Sequence, residues 1–121
     1  MELKELLKGL SQVQIDNLIV DKIENLYKTE LPDDLKKIIS LSKETTFYDD
    51  RDLLRGLSSD EILNASDNLE LDFVALKLLP LFDIGDNNFI VYNFEKNCWS
   101  LFNIVDETLF NESSDLLKYI E

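Results

Sequence analysis

Apolar residues recur at helical spacing along the first third of the chain and in short dense runs along the last third, and this change of rhythm separates the elements. Over residues 2 to 10, Leu3, Leu6, Leu7 and Leu10 share one side of a short leading helix. Ser11 and Gln14 have the S-x-x-Q form of a capping box, in which each side chain satisfies a backbone N–H that the first turn leaves unpaired. A helix is therefore expected over residues 12 to 27. Its Ile15, Leu18, Ile19, Ile23 and Leu26 form the stripe that must pack, with Asp16, Asp21, Lys22 and Glu24 left for solvent. Pro32 suits a first helical position, and Asp33 and Asp34 suit the positive end of a second helix running to about Ser42. Leu35, Ile38, Ile39 and Leu41 give that helix an apolar side, and residues 28 to 31 join the two as an angled hairpin.

Residues 45 to 52 break the pattern. Residues 53 to 56 read as a short strand, and Ser58 with Glu61 makes a second capping box before a helix over residues 59 to 69. Residues 75 to 82, 88 to 94 and 98 to 105 are rich in Val, Ile, Leu, Phe and Tyr and read as three antiparallel strands. Between them, Asp83-Ile84-Gly85-Asp86-Asn87-Asn88 supplies residues that tolerate φ > 0, and Glu95-Lys96-Asn97 is short enough for a hairpin. Ser113 or Ser114 caps a terminal helix with Leu116, Leu117 and Ile120 facing inward. The order is helix, helix, strand, helix, strand, strand, strand, helix.

At one domain per ~150 residues, the 121 residues make a single α+β unit over 1–121. Hydrophobic residues make up 45% of the chain, more than a disordered acidic tail carries, so it should fold. Asp and Glu number 25 against 12 Lys and Arg, a formal charge of −13, and His is absent. Without imidazole there is no Ser-His-Asp or Cys-His nucleophile pair and no His-ligated zinc. The charge repels a phosphate backbone, which argues against direct nucleic-acid binding. It is also uneven: residues 1 to 60 carry 9 basic and 13 acidic side chains, residues 61 to 121 carry 3 and 12. The single cysteine, Cys98, and the lack of a basic-then-apolar leader point to a reducing cytoplasm, and no apolar run approaches the ~20 residues of a membrane span.

Several strings carry more than local preference. Ile23-Glu24-Asn25-Leu26-Tyr27-Lys28-Thr29-Glu30-Leu31-Pro32-Asp33-Asp34-Leu35 places a Glu seven residues before a Leu-Pro, then an acidic turn and a second helix. Leu79-Pro80-Leu81-Phe82, the polar turn from Gly85 to Asn88, and Ser113-Ser114-Asp115-Leu116-Leu117-Lys118-Tyr119-Ile120 follow in order. In that order the chain, over about residues 12 to 121, resembles the SUKH superfamily, which includes the Smi/Knr-type proteins and many bacterial immunity proteins. It departs from the family at Ser42-Lys43-Glu44, where Asn-Gly is usual, and in a Gly-rich turn reduced to Gly85. The resemblance implies an α+β domain with a mixed or mainly antiparallel sheet of about four or more strands and helices packed on one side. It implies no catalytic machinery, no cofactor and no metal. Bacterial members resemble binding proteins that neutralise a polymorphic or contact-delivered toxin, frequently a nuclease, by occupying its active face. A charge of −13 has the right sign for a basic nuclease.

The acidic side chains fall into three sequence clusters: Asp49, Asp50 and Asp52; Asp83 and Asp86; Asp106, Glu107 and Glu112. Each suits turn chemistry and solvation. Together, with Glu95, they form a rim that would steer a basic partner. Asp83 to Asn88 lacks the D-x-D-x-D-G spacing and distal Glu of a calcium loop. The strands from Phe89 and from Cys98 are apolar on both faces. Either they lie inside, covered on both sides, or an open face presents Tyr92, Phe94 or Trp99 as aromatic anchors within the acidic rim. The leading expectation is a monomeric cytoplasmic immunity protein, not an enzyme. The alternatives are a regulatory interaction module without a toxin, or an acidic DNA mimic.

Overall fold

The computed structural model describes residues 9–41 and 55–119. The leading helix expected at residues 2 to 10 and the loop carrying Asp49, Asp50 and Asp52 lie outside the described residues, apart from a 3-10 turn, Leu10–Gln12. Helix α1, Asn17–Tyr27, begins later than residue 12 because Asp16, not Ser11, is its cap. Asp16 is extended, and its carboxylate accepts from the Leu18 and Ile19 amides. Its own amide donates to Ser40 Oγ, 2.8 Å away on the second helix. The later start rotates the packing stripe: Val20 and Ile23 are buried, while Leu18 and Leu26 are exposed. Glu24, assigned to solvent by the pattern, accepts from the Leu31 amide at 2.8 Å and holds the link to helix α2, Asp33–Leu41. There Leu35, Ile38 and Ile39 are buried, as their spacing predicts.

Strand β1, Arg55–Gly56, precedes the capping box of Ser58 and Glu61, both of whose bonds form. The helix expected over residues 59 to 69 is two short ones, α3 (Ser59–Leu63) and α4 (Ala65–Leu69), divided at Asn64. A further helix, α5 (Phe73–Leu76), stands where the sequence suggested that a strand begins. Asp72 caps it by accepting from the Ala75 amide, and Lys77 ends it in the left-handed region at φ 59°.

Strands β2 (Leu78–Gly85), β3 (Asn88–Asn93) and β4 (Cys98–Asn103) follow, then β5 (Thr108–Ser113), where the sequence pattern predicts no element. The expected terminal helix is a 3-10 turn, Leu116–Tyr119. The described residues thus form an α+β structure with five α-helices and a five-stranded sheet. Its order is β1-β2-β3-β4-β5, and every pairing is antiparallel. A bulge in β5 sets Asn111 and Glu112 against Ser100, with Asn111 at φ 53°.

The central strands are buried on both sides. In β3, Phe89 and Val91 point one way and Ile90 and Tyr92 the other, and all four are buried. Helices α3, α4 and α5 cover the first face: Phe89 lines a small 90 Å³ cavity with Glu61, Ala65 and Leu69, and Phe73 meets Phe102 edge-on at 5.9 Å. On the second face Tyr27 of α1 meets Phe94 at 5.4 Å, Phe94 meets Tyr92 at 5.4 Å, and Tyr92 meets Trp99 at 5.2 Å. Helical side chains therefore reach both faces, where cover on one side was expected. Among the described residues no helix is long and apolar enough to cross a membrane.

Candidate partner-binding surface

An antiparallel meander sends alternate turns to opposite ends of its sheet, so the β2–β3 and β4–β5 turns share one end. The first is a two-residue turn with both residues left-handed, Asp86 at φ 55° and Asn87 at φ 64°, the geometry that matches strand twist. Asp83 steadies its approach, accepting from the Gly85 amide at 2.9 Å. In the second, Asn103 Oδ1 accepts from the Val105 and Asp106 amides, both at 2.9 Å, and Glu107 closes the turn at φ 54°. The two turns are bonded to each other. The Ile104 amide donates to the Asn87 carbonyl at 2.9 Å, and Asn103 Nδ2 donates to Asn88 Oδ1 at 2.8 Å. Asp86, Asp106 and Glu107 are thereby exposed together on a braced end, and neither turn contains a basic residue.

The remaining acidic candidates are elsewhere. Glu95 lies in the β3–β4 turn at the opposite end, where Asn93 Oδ1 accepts from the Glu95 and Lys96 amides. Glu112, grouped with Asp106 and Glu107 from the sequence, also points away from them and pairs with Lys96 Nζ at 2.8 Å. Asp83 is half-buried and faces Arg55, 3.7 Å away. The acidic rim is thus one end of the sheet, not a ring. Asp49, Asp50 and Asp52 fall outside the described residues.

The aromatic candidates are inside. Tyr92 is 8% exposed and Trp99 is 7% exposed, and Phe94 is half-buried between Tyr27 and Tyr92. The open anchor face considered from the sequence is therefore closed by this row of rings. Burial, with the Asp72 carboxylate second, pushes the Tyr27 phenol well above its ordinary value, so its hydroxyl stays a donor to the Leu78 carbonyl at 2.9 Å. Exposed apolar side chains appear instead on β5 and in the turn that precedes it. Val105 is 68% exposed, and Leu109 and Phe110 are 39% and 37% exposed. Cys98 is half-buried; burial raises its thiol, which stays protonated at neutral pH.

Arg55 joins three elements by donating from Nη1 to both Glu61 oxygens, at 2.8 and 2.9 Å, and facing Asp83. The Arg55 guanidinium holds the Glu61 carboxyl below its usual range, against some opposing burial. A depressed folded pKa contributes stability that is full above the unfolded value, ~4.3, and is lost as pH falls through the folded value. Glu61→Gln is expected to cost about 1 kcal/mol at neutral pH, given the partial exposure of the pair. The gap to the unsubstituted chain should narrow as denaturant melts are taken below the unfolded value and close once pH passes beneath the folded one. An equal gap at neutral pH and beneath the folded value would mean that the ion pair contributes nothing.

Among the described residues no group of three or more His, Cys, Asp or Glu side chains is arranged to hold a metal ion. No family model, curated relative or solved structure matches the chain.

Proposed function

We propose that this chain is a cytoplasmic, monomeric immunity protein of the SUKH type that binds a cognate toxin domain with a basic surface, most simply a nuclease, and blocks its active face. The observation that carries the reading is the braced acidic end: Asp86, Asp106 and Glu107 in two turns bonded through Ile104–Asn87 and Asn103–Asn88. Carboxylates carried on braced turns that contain no basic residue steer a basic partner with little backbone reorganisation on contact. A formal charge of −13 also opposes association with a second copy. Blockade needs no nucleophile or imidazole on this chain, in keeping with a sequence that lacks His.

Co-expression with each secreted toxin domain encoded beside it tests the proposal. Growth should be restored by one of them, and the two chains should co-purify at low salt and separate more readily as salt rises. Failure to protect against or bind any of these domains would overturn the proposal.

A further inference from the structure

The two edges of the sheet are built differently. Strand β1 is two residues long, and its Arg55 is engaged by Glu61 and Asp83. Strand β5 is six residues long, pairs only with β4 among the described residues, and is exposed from Thr108 through Glu112. Edge strands are ordinarily blunted by Lys, Pro, bulges or shortness. Thr108-Leu109-Phe110-Asn111-Glu112-Ser113 contains neither Lys, Arg nor Pro, and its bulge is confined to Asn111 and Glu112. The bulge carbonyl of Asn111 already accepts from the Tyr119 hydroxyl, which leaves Thr108, Leu109 and Phe110 as a regular edge.

The side chains of that edge also lack cover. Leu109 is opposite Phe102 and Phe110 opposite Leu101, so the two exposed apolar groups point to opposite faces of the sheet. One further strand would cover both. Ser100 Oγ donates to the Phe110 carbonyl at 3.0 Å, so that carbonyl faces β4. Alternation then turns the amide and carbonyl of Leu109 outward.

We infer that β5 receives an extended lysine- or arginine-bearing segment of the partner as a sixth antiparallel strand. The inference rests on the immunity reading for the partner's basic character. Charge selects this occupant over a second copy. Residues 103 to 116 carry four carboxylates, Asp106, Glu107, Glu112 and Asp115, and no basic side chain. Antiparallel pairing of β5 with itself would bring together two such segments, each still net acidic after Lys96 is paired with Glu112. Like charges directly opposed across strands destabilise the pair. A basic strand meets the same carboxylates favourably, with backbone bonds fixing register and Leu109 and Phe110 supplying apolar contact.

The probe is a synthetic peptide alternating lysine with valine, long enough to span Thr108–Ser113, titrated into the isotopically labelled full chain at low salt. Shifts should concentrate in β5, exchange of the outward Leu109 amide should slow, and peptide-to-β5 nuclear Overhauser effects should appear. A peptide of equal charge with alternate backbone amides N-methylated should lose these signatures, as should a glutamate-for-lysine peptide. Leu109→Pro removes an outward donor and should abolish binding, while Leu109→Ala retains it and should bind. Equal binding by the N-methylated peptide, or shifts confined to residues 86–87 and 104–107, would overturn strand addition. Concentration-dependent protection of β5 without peptide would overturn the choice of occupant. Toxin protection that survives Leu109→Pro would remove the sixth strand and leave the immunity reading standing. Absence of protection by the unsubstituted chain would remove that reading, and peptide binding would still decide whether the edge accepts a basic strand.

Discussion

Phe102→Ala is expected to remove about 3–5 kcal/mol of stability, a large share of the roughly 5–15 kcal/mol typical of a domain this size. The ring is 1% exposed, sits on β4 opposite Phe89, and meets Phe73 edge-on at 5.9 Å, so its loss uncouples α5 from the sheet. Urea melts should show a lower midpoint with an unchanged slope, the signature of lost stability without a changed unfolding transition. Phe110→Ala, on the neighbouring exposed strand, should stay within about 1 kcal/mol. A loss below about 1.5 kcal/mol at Phe102 would mean that its surroundings collapse into the vacated space and that the aromatic contact is dispensable.

The second large effect concerns capture of the proposed partner. Replacing Asp86 and Asp106 by asparagine and Glu107 by glutamine removes three charges from the braced end without removing the side-chain volume there. The rate of association with the proposed basic toxin domain should fall by roughly 10-fold or more at low ionic strength, and the difference should shrink as salt shortens the range of the field. Stopped-flow mixing at two salt concentrations measures both. Glu95→Gln at the other end of the sheet serves as the control and should change the rate little. Equal rates for the triple variant and the unsubstituted chain at low salt would show that this end does not steer.

Local chemistry was the most legible part of the sequence. The capping box of Ser58 and Glu61 forms as written, and β3 and β4 stand close to where their aromatic and β-branched runs place them. Competing signals hid the rest. Two possible caps lie close together before α1, and Asp16 takes the role from Ser11 where its carboxylate meets the Leu18 and Ile19 amides and its own amide is held by Ser40. Phe73 to Leu76 has the composition of a strand, and Asp72 at its entry is the single mark of a helix. Thr108–Ser113 has only two large apolar residues, adjacent rather than alternating, because an edge strand has little core to face. The site was blurred for a related reason. Sequence proximity grouped Glu112 with Asp106 and Glu107, whereas one strand's length carries it to the other end, against Lys96. Tyr92 and Trp99 looked available for a partner because the pattern did not show Tyr27 and Phe94 continuing their row.

The meander order bears on how fast the chain can assemble. Strands β2 to β5 are joined by turns at residues 86–87, 94–97 and 104–107, so three of the four pairings close loops of small entropic cost and can zip in succession. Only the pairing of β1 with β2 must wait for residues 57–77 to coil into α3, α4 and α5. The acidic end and the open edge both belong to the part that zips. On this topology the acidic end and the open edge lie within the locally connected part of the sheet, and the Arg55 clasp within the part of longest loop closure.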